Sequence, residues 1–174
     1  KTASGTVERS GAAQGLSEVM VVLPEDEASQ ILSDMLPLSS HPTPGIREGV
    51  LWFLSFLPLS LGRAFVGYIS DVLPVVLSGL SDETEAVREV AMRSGQVIVS
   101  TQGKSHLGLL LPALEGGLHD NSWRIRQSSV QLLGDLLCLV GGTKNVAGGL
   151  GFLGGGAGAD DASDADDDSD EDEV

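Results

Sequence analysis

Between Ile125 and Val140 the apolar side chains return every three or four positions. Ile125, Ser128, Ser129, Leu132, Leu133, Leu136, Leu137 and Val140 share one stripe. That period predicts an α-helix with one face in a core. Asp120-Asn121-Ser122 offers capping oxygens before it, and Gly141-Gly142 supplies residues able to take the left-handed stop after it. A similar helix is expected after Ser81-Asp82, with Val87, Val90, Ala91 and Ile98 facing inward. Two more uniformly apolar stretches, residues 66–80 and 107–118, read as the helices that precede these. Each contains a proline, Pro74 or Pro112, which should bend or restart it, because proline lacks the amide donor and clashes one turn back.

The pattern repeats. Residues 71–82, DVLPVVLSGLSD, are echoed by 109–120, LLLPALEGGLHD. Pro74 and Pro112 stand 38 positions apart, and the same offset relates Leu80 to Leu118, Asp82 to Asp120, Val87 to Ile125 and Arg88 to Arg126. A period near 40 in a helical chain marks a solenoid of helix pairs. A looser unit comes earlier, with residues 31–37 as its first helix and 47–61 as its second, entered after Pro42-Thr43-Pro44-Gly45. Residues 9–23 read as the second helix of a unit lacking its first half. The expectation is an all-α chain of about three and a half units over 1–142. With Lys rather than Met at position 1, it is expected to be a piece of something longer.

Charge divides the chain differently. The 174 residues carry 10 Lys+Arg against 25 Asp+Glu, but ten of those acids lie between Asp160 and Glu173. Residues 143–174 begin Gly-rich and end in this acidic block, so a flexible linker and a disordered acidic tail are expected. Ser163 and Ser169 each have Asp three positions on, a pattern an acid-directed kinase favours. A solubilising spacer is the equal alternative.

Several chemistries find no residues. The lone Cys138 allows no internal disulfide or thiolate metal site, and favours a reducing, intracellular setting. His41, His106 and His119 are far apart and lack metal-binding spacing. No glycine loop leads into Lys-Ser/Thr. The longest apolar run, 50–61, falls short of the roughly 20 residues of a membrane span. No nucleophile, base and orienting group can be assembled. A non-enzyme without metal or cofactor, away from the membrane, is expected.

Asp82 to Arg88 and Asp120 to Arg126 are both six apart and in register with the repeat. This resembles the HEAT repeat, a helix-pair unit of armadillo-like superhelices. The resemblance implies a ladder between neighbouring units, built from the turn aspartate and the arginine of the second helix. Arg47 matches the arginine position, but His41 holds the aspartate position, which leaves the ladder open there. Arg93, Lys104 and Arg124 fall outside it. Arg93, Trp123 and Arg124 are the candidates for contact with a partner or RNA. Their alternatives are solvated surface for the arginines and, favoured for Trp123, a cap on the helix-pair core. More acids than bases in the body argues against a nucleic-acid binder, so direct RNA contact stays open.

The runs 82–99 and 109–137, with 9–19, 47–58 and 65–69, are similar to the central region of a more particular family. It is the very large HEAT-repeat translational activator of the general amino-acid control pathway. The resemblance implies a cytoplasmic, ribosome-associated scaffold that senses stalled ribosomes and works with an ABC-type ATPase. It also implies activation of the kinase of initiation factor two alpha, through a more C-terminal segment not seen here. Another HEAT scaffold, a nuclear transport receptor or tubulin-binding array, is the alternative.

Overall fold

The computed structural model describes residues 2–142. Among them there are helices and short connections and no strand. In order they are α1 (Thr2–Met20), α2 (Glu25–Met35), a 3-10 segment (Leu36–Ser40) and α3 (Pro44–Leu61). A second 3-10 segment (Gly62–Tyr68) leads into α4 (Ile69–Gly79), followed by α5 (Glu85–Gln102), α6 (Leu107–Leu118) and α7 (Trp123–Gly141).

The helices form two layers. α1, α3, α5 and α7 stack in succession as one layer, and α4 and α6 adjoin in the other. α6 pairs with α7, α4 with α5, and the segment Leu36–Ser40 with α3. The chain is therefore a helical solenoid in which each element meets chiefly its neighbours.

α3 is the centre of the core. Phe53, Leu54 and Leu57 are fully buried, with Phe65 and Ile98 packed into the same cluster. By length and composition the stretch Pro44–Gly79 could cross a membrane, at mean hydropathy 1.6. Here Phe53, Leu54 and Leu57 of this stretch are buried while Ile46 and Leu59 are exposed, and the chain breaks at Gly62, whose φ of 54° is one glycine adopts without strain. Gln102 Nε2 donates to the Gly62 carbonyl at 3.2 Å, so the end of α3 is satisfied by α5. Between the same two helices the buried Ser94 hydroxyl is shared by the carbonyls of Leu51 and Val90, at 2.9 and 2.8 Å.

Three expectations change. α4 and α6 are not restarted at their prolines. The missing amides of Pro74 and Pro112 leave the carbonyls of Ser70 and Gly108 unpaired one turn back, and both residues are exposed, where water serves them. The stripe of α7 is only partly covered: Ile125, Ser129, Leu132 and Leu136 are buried, but Leu137 is 57% and Val140 47% exposed. Among the described residues nothing packs on that outer edge. Finally, α2 begins at Glu25, directly after Pro24, well before the apolar run at Ile31. Glu25, Asp26 and Glu27 occupy its first turn, where acids complement the helix dipole. The expected linker and acidic tail, and with them Ser163 and Ser169, lie outside the described residues.

Candidate functional site

One local device recurs at the turns before α3, α5 and α7. The side chain at the turn accepts the amide two residues on. Asp82 Oδ1 takes Thr84 N–H at 2.8 Å, and Asp120 Oδ1 takes that of Ser122 at 2.7 Å. His41 Nδ1 takes that of Thr43 at 3.0 Å, which fixes its proton on Nε2. The hydroxyls of Thr43, Thr84 and Ser122, at the N-cap positions, make no capping bond. Six residues after each turn side chain an arginine reaches back. Arg47 Nη1 donates to the carbonyls of His41 and Pro42, at 2.9 and 3.1 Å. Arg88 does so to Asp82 and Glu83, and Arg126 to Asp120 and Asn121, all between 2.8 and 3.0 Å. Arg88 and Arg126 thus clamp their own turns.

Between units the arrangement is less regular. Arg47 forks onto Asp82 of the next turn, with Nε to Oδ2 at 2.7 Å and Nη2 to Oδ1 at 2.8 Å. Both side chains are largely withdrawn from water, 9% and 12% exposed. Burial pushes the Asp82 carboxyl up, but the Arg47 hydrogen bonds, the Thr84 amide and the charges of Arg47 and Arg88 together hold it below the ordinary carboxylate value. No matching ion pair joins Arg88 to Asp120 among the described residues. One unit earlier His41 can accept an amide but brings no carboxylate, and Arg9 pairs instead with Glu48 at 2.6 Å. Glu48 also accepts from Trp52 Nε1 at 3.3 Å. The Trp52 ring stacks on Phe56 and lies 5.0 Å from the guanidinium carbon of Arg93. Burial lowers the Arg93 pKa from its ordinary value. Arg93, one of the candidates for partner contact, is half-buried against the Trp52 ring.

Trp123 reverses the favoured expectation. It is 58% exposed, at the first position of α7, and is not among the residues packed on the core. The Arg124 guanidinium lies over its ring at 5.0 Å. The two form one wall of a cleft of about 420 Å³ between the N-terminal halves of α5 and α7. Opposite stand Glu85, Arg88, Glu89 and Met92. A half-exposed Trp beside an Arg is the kind of surface that anchors a partner. The facing Glu85 and Glu89 offset Arg88 and Arg124, so the cleft suits a protein segment better than a phosphate backbone.

Among the described residues no three His, Cys, Asp or Glu side chains gather as a metal site would need. Cys138 is a half-buried free thiol. Trp52, expected in the core, packs against it, half-buried. Arg9 and Glu48 did not stand out in the sequence, yet Arg9 precedes Arg47 by 38 positions, the same offset as the later repeats. That spacing is the signal that marks it.

The HEAT repeat model matches residues 110–137, from α6 into α7. Over 143 residues, 82% of this chain, it is 47% identical to the eIF-2-alpha kinase activator GCN1 of Dictyostelium discoideum. It is 42% identical over 139 residues, 79% of the chain, to the stalled ribosome sensor GCN1 of Homo sapiens. With the eIF-2-alpha kinase activator GCN1 of Saccharomyces cerevisiae it shares 40% over 135 residues, 78% of the chain. Each match spans 5% of the relative's length. The repeated turn, the two-layer helix stack and these identities agree: the chain is a HEAT-repeat solenoid segment homologous to a short stretch of the GCN1 translational regulators.

Proposed function

We propose that this segment is a binding scaffold within a ribosome-associated regulator, and that the Trp123–Arg124 cleft is its contact surface. The observation that carries this is an indole more than half exposed, held by an adjacent guanidinium, at the mouth of a cleft between stacked helices. The relatives' names, kinase activator and stalled ribosome sensor, supply the setting. In this reading the chain does no catalysis and works in the cytoplasm. Residues 1–142 form the rigid part, and the Gly-rich and acidic residues 143–174 act as linker and tail. Contact with the kinase of initiation factor two alpha runs through regions outside this chain, and an ABC-type ATPase is a further partner.

The test is sucrose-gradient sedimentation of the parent protein, tagged at its own locus, with and without nuclease. Co-migration with monosomes and nuclease-resistant disomes is expected. Trp123→Ala with Arg124→Glu should move the protein toward the top of the gradient while its cellular level holds. Protein that stays at the top in wild-type form sinks the ribosome reading, and a variant that sediments like wild type removes the cleft from it.

A further inference from the structure

A second recess lies in the other layer. A groove of about 990 Å³ separates α2 from the segment Gly62–Tyr68 and α4. Its floor is apolar, with Met20 and Leu32 buried and Leu36 and Val75 half-buried. Hydroxyls line its walls, and those of Ser29 and Tyr68 meet across it at 3.3 Å. Two carboxylates, Glu25 and Asp71, line it as well, and no Lys, Arg or His does.

The charge around it is one-sided. α2, α4 and α6 contain no Lys or Arg, whereas Arg9, Arg47, Arg88, Arg93, Arg124 and Arg126 all stand on α1, α3, α5 and α7. α2 itself adds Asp26, Glu27 and Asp34 to Glu25. Arg63, the nearest base in sequence, is not among the groove's walls.

We propose that this groove docks a basic amphipathic segment of a partner protein. Its apolar side chains would seat on Leu32, Leu36 and Val75, and its Lys or Arg would meet Glu25 and Asp71. Complementarity selects this occupant. The chain's own acidic block, Asp160 to Glu173, would be repelled. A second copy would bring an equally acidic layer, and four arginines of its other layer are already bonded to turns and carboxylates. The groove lies away from the Trp123 cleft, so this inference stands apart from the proposed ribosome contact.

Tyr68 is the sole tyrosine, which makes the groove readable on its own. The experiment is ¹⁹F NMR of the full chain carrying 3-fluorotyrosine, titrated with a synthetic Lys/Leu amphipathic helix. Its Glu/Leu counterpart is the control. The expected result is a saturable shift of the single resonance with the Lys/Leu peptide only. Glu25→Lys with Asp71→Lys should weaken the apparent affinity about tenfold or more at low salt. Both residues are exposed, and an unchanged far-UV circular dichroism spectrum confirms the fold. Glu115→Lys, on exposed α6 surface, should bind like wild type. A basic peptide captured only by the acidic block would leave the resonance still, and that overturns the proposal. So does an equal response to the Glu/Leu peptide, or a resonance that moves on dilution alone, which would mean a second copy in the groove.

Discussion

Asp82 and Asp120 hold the same place in successive turns, and replacing each by alanine separates what the turn contributes from what the rung contributes. Both carboxylates accept the amide two residues on, at 2.8 and 2.7 Å, and both backbones are clamped by the arginine six residues later. Only Asp82 also receives a guanidinium from the preceding unit. Asp120→Ala therefore removes one turn bond, a loss of about 1 kcal/mol. Asp82→Ala removes the same bond and takes from Arg47, a side chain only 9% exposed, its nearer carboxylate, leaving it Glu83 at 3.4 Å. Deleting one partner of a buried pair costs about 3–5 kcal/mol, and the low end fits a pair at a turn with some access to water. The difference between the variants should be about 2 kcal/mol. With urea slopes of about 1–3 kcal/mol per M, that separates their midpoints by about 1 M.

The assay is equilibrium urea unfolding of the full chain, followed by tryptophan fluorescence and by far-UV circular dichroism. An Arg47→Met, Asp82→Ala double-mutant cycle completes it and should return a coupling of about 2 kcal/mol. Acid gives a second reading. The folded carboxyl lies below its ordinary value, so the rung's contribution is present above the unfolded pKa of about 4. It is lost as pH falls through the folded value, and the gap between wild type and Asp82→Ala should close there. Equal losses for the two aspartates, or a coupling below about 0.5 kcal/mol, would place the pair among exposed ion pairs and refute the reasoning.

Trp123→Ala should change stability by less than about 0.5 kcal/mol, since a side chain 58% exposed contributes little to the core; a larger drop in the urea midpoint would show that it packs. Asp135 carries the opposite pH signature from Asp82. Burial raises its carboxyl above the ordinary value, with a Gln96 hydrogen bond pulling the other way, so its contribution is present below the unfolded pKa and lost as pH rises through the folded one. Asp135→Asn should accordingly stabilise the chain at neutral pH and not at acid pH, as thermal melts at the two pH values will show. Gly117 is buried where an added methyl would run into Ser129 Oγ across the α6–α7 contact. Gly117→Ala should cost about 1–3 kcal/mol, and adding Ser129→Gly should recover part of it in the same urea assay.

The residues that repeat at 38 positions carried the fold into view, because a helix with one buried face writes its period into the sequence. α6 is found at Leu107–Leu118, the same limits its apolar run suggests. The start of α2 was harder to see, since Glu25, Asp26 and Glu27 are polar, and their meaning as a first turn after Pro24 lies in charge and backbone geometry. The ladder implied by the HEAT resemblance runs between units, from a turn aspartate to an arginine of a neighbouring second helix. Spacing alone cannot say that Asp82 takes Arg47 while no arginine pairs with Asp120 among the described residues, because each contact depends on how successive helices sit side by side. Trp123 was equally undetermined, its burial resting on which way the first residue of α7 turns.

The missing rung and the cleft follow from one geometry. α3 and α5 lie close along their length, tied by Ser94 to the Leu51 carbonyl, and at their N-terminal ends Arg47 spans the gap to Asp82. α5 and α7 meet closely farther along, where a Cβ on Gly95 would come within 2.8 Å of Leu132 Cδ1. From that point their N-terminal halves leave the cleft of about 420 Å³ between them. Arg88 lines that cleft, bonded to its own turn and not to Asp120. A second Arg–Asp rung would draw these ends together and narrow the space before Trp123. Without it the indole and Arg124 stand accessible, so one interface of the solenoid is closed by charge and the next is open.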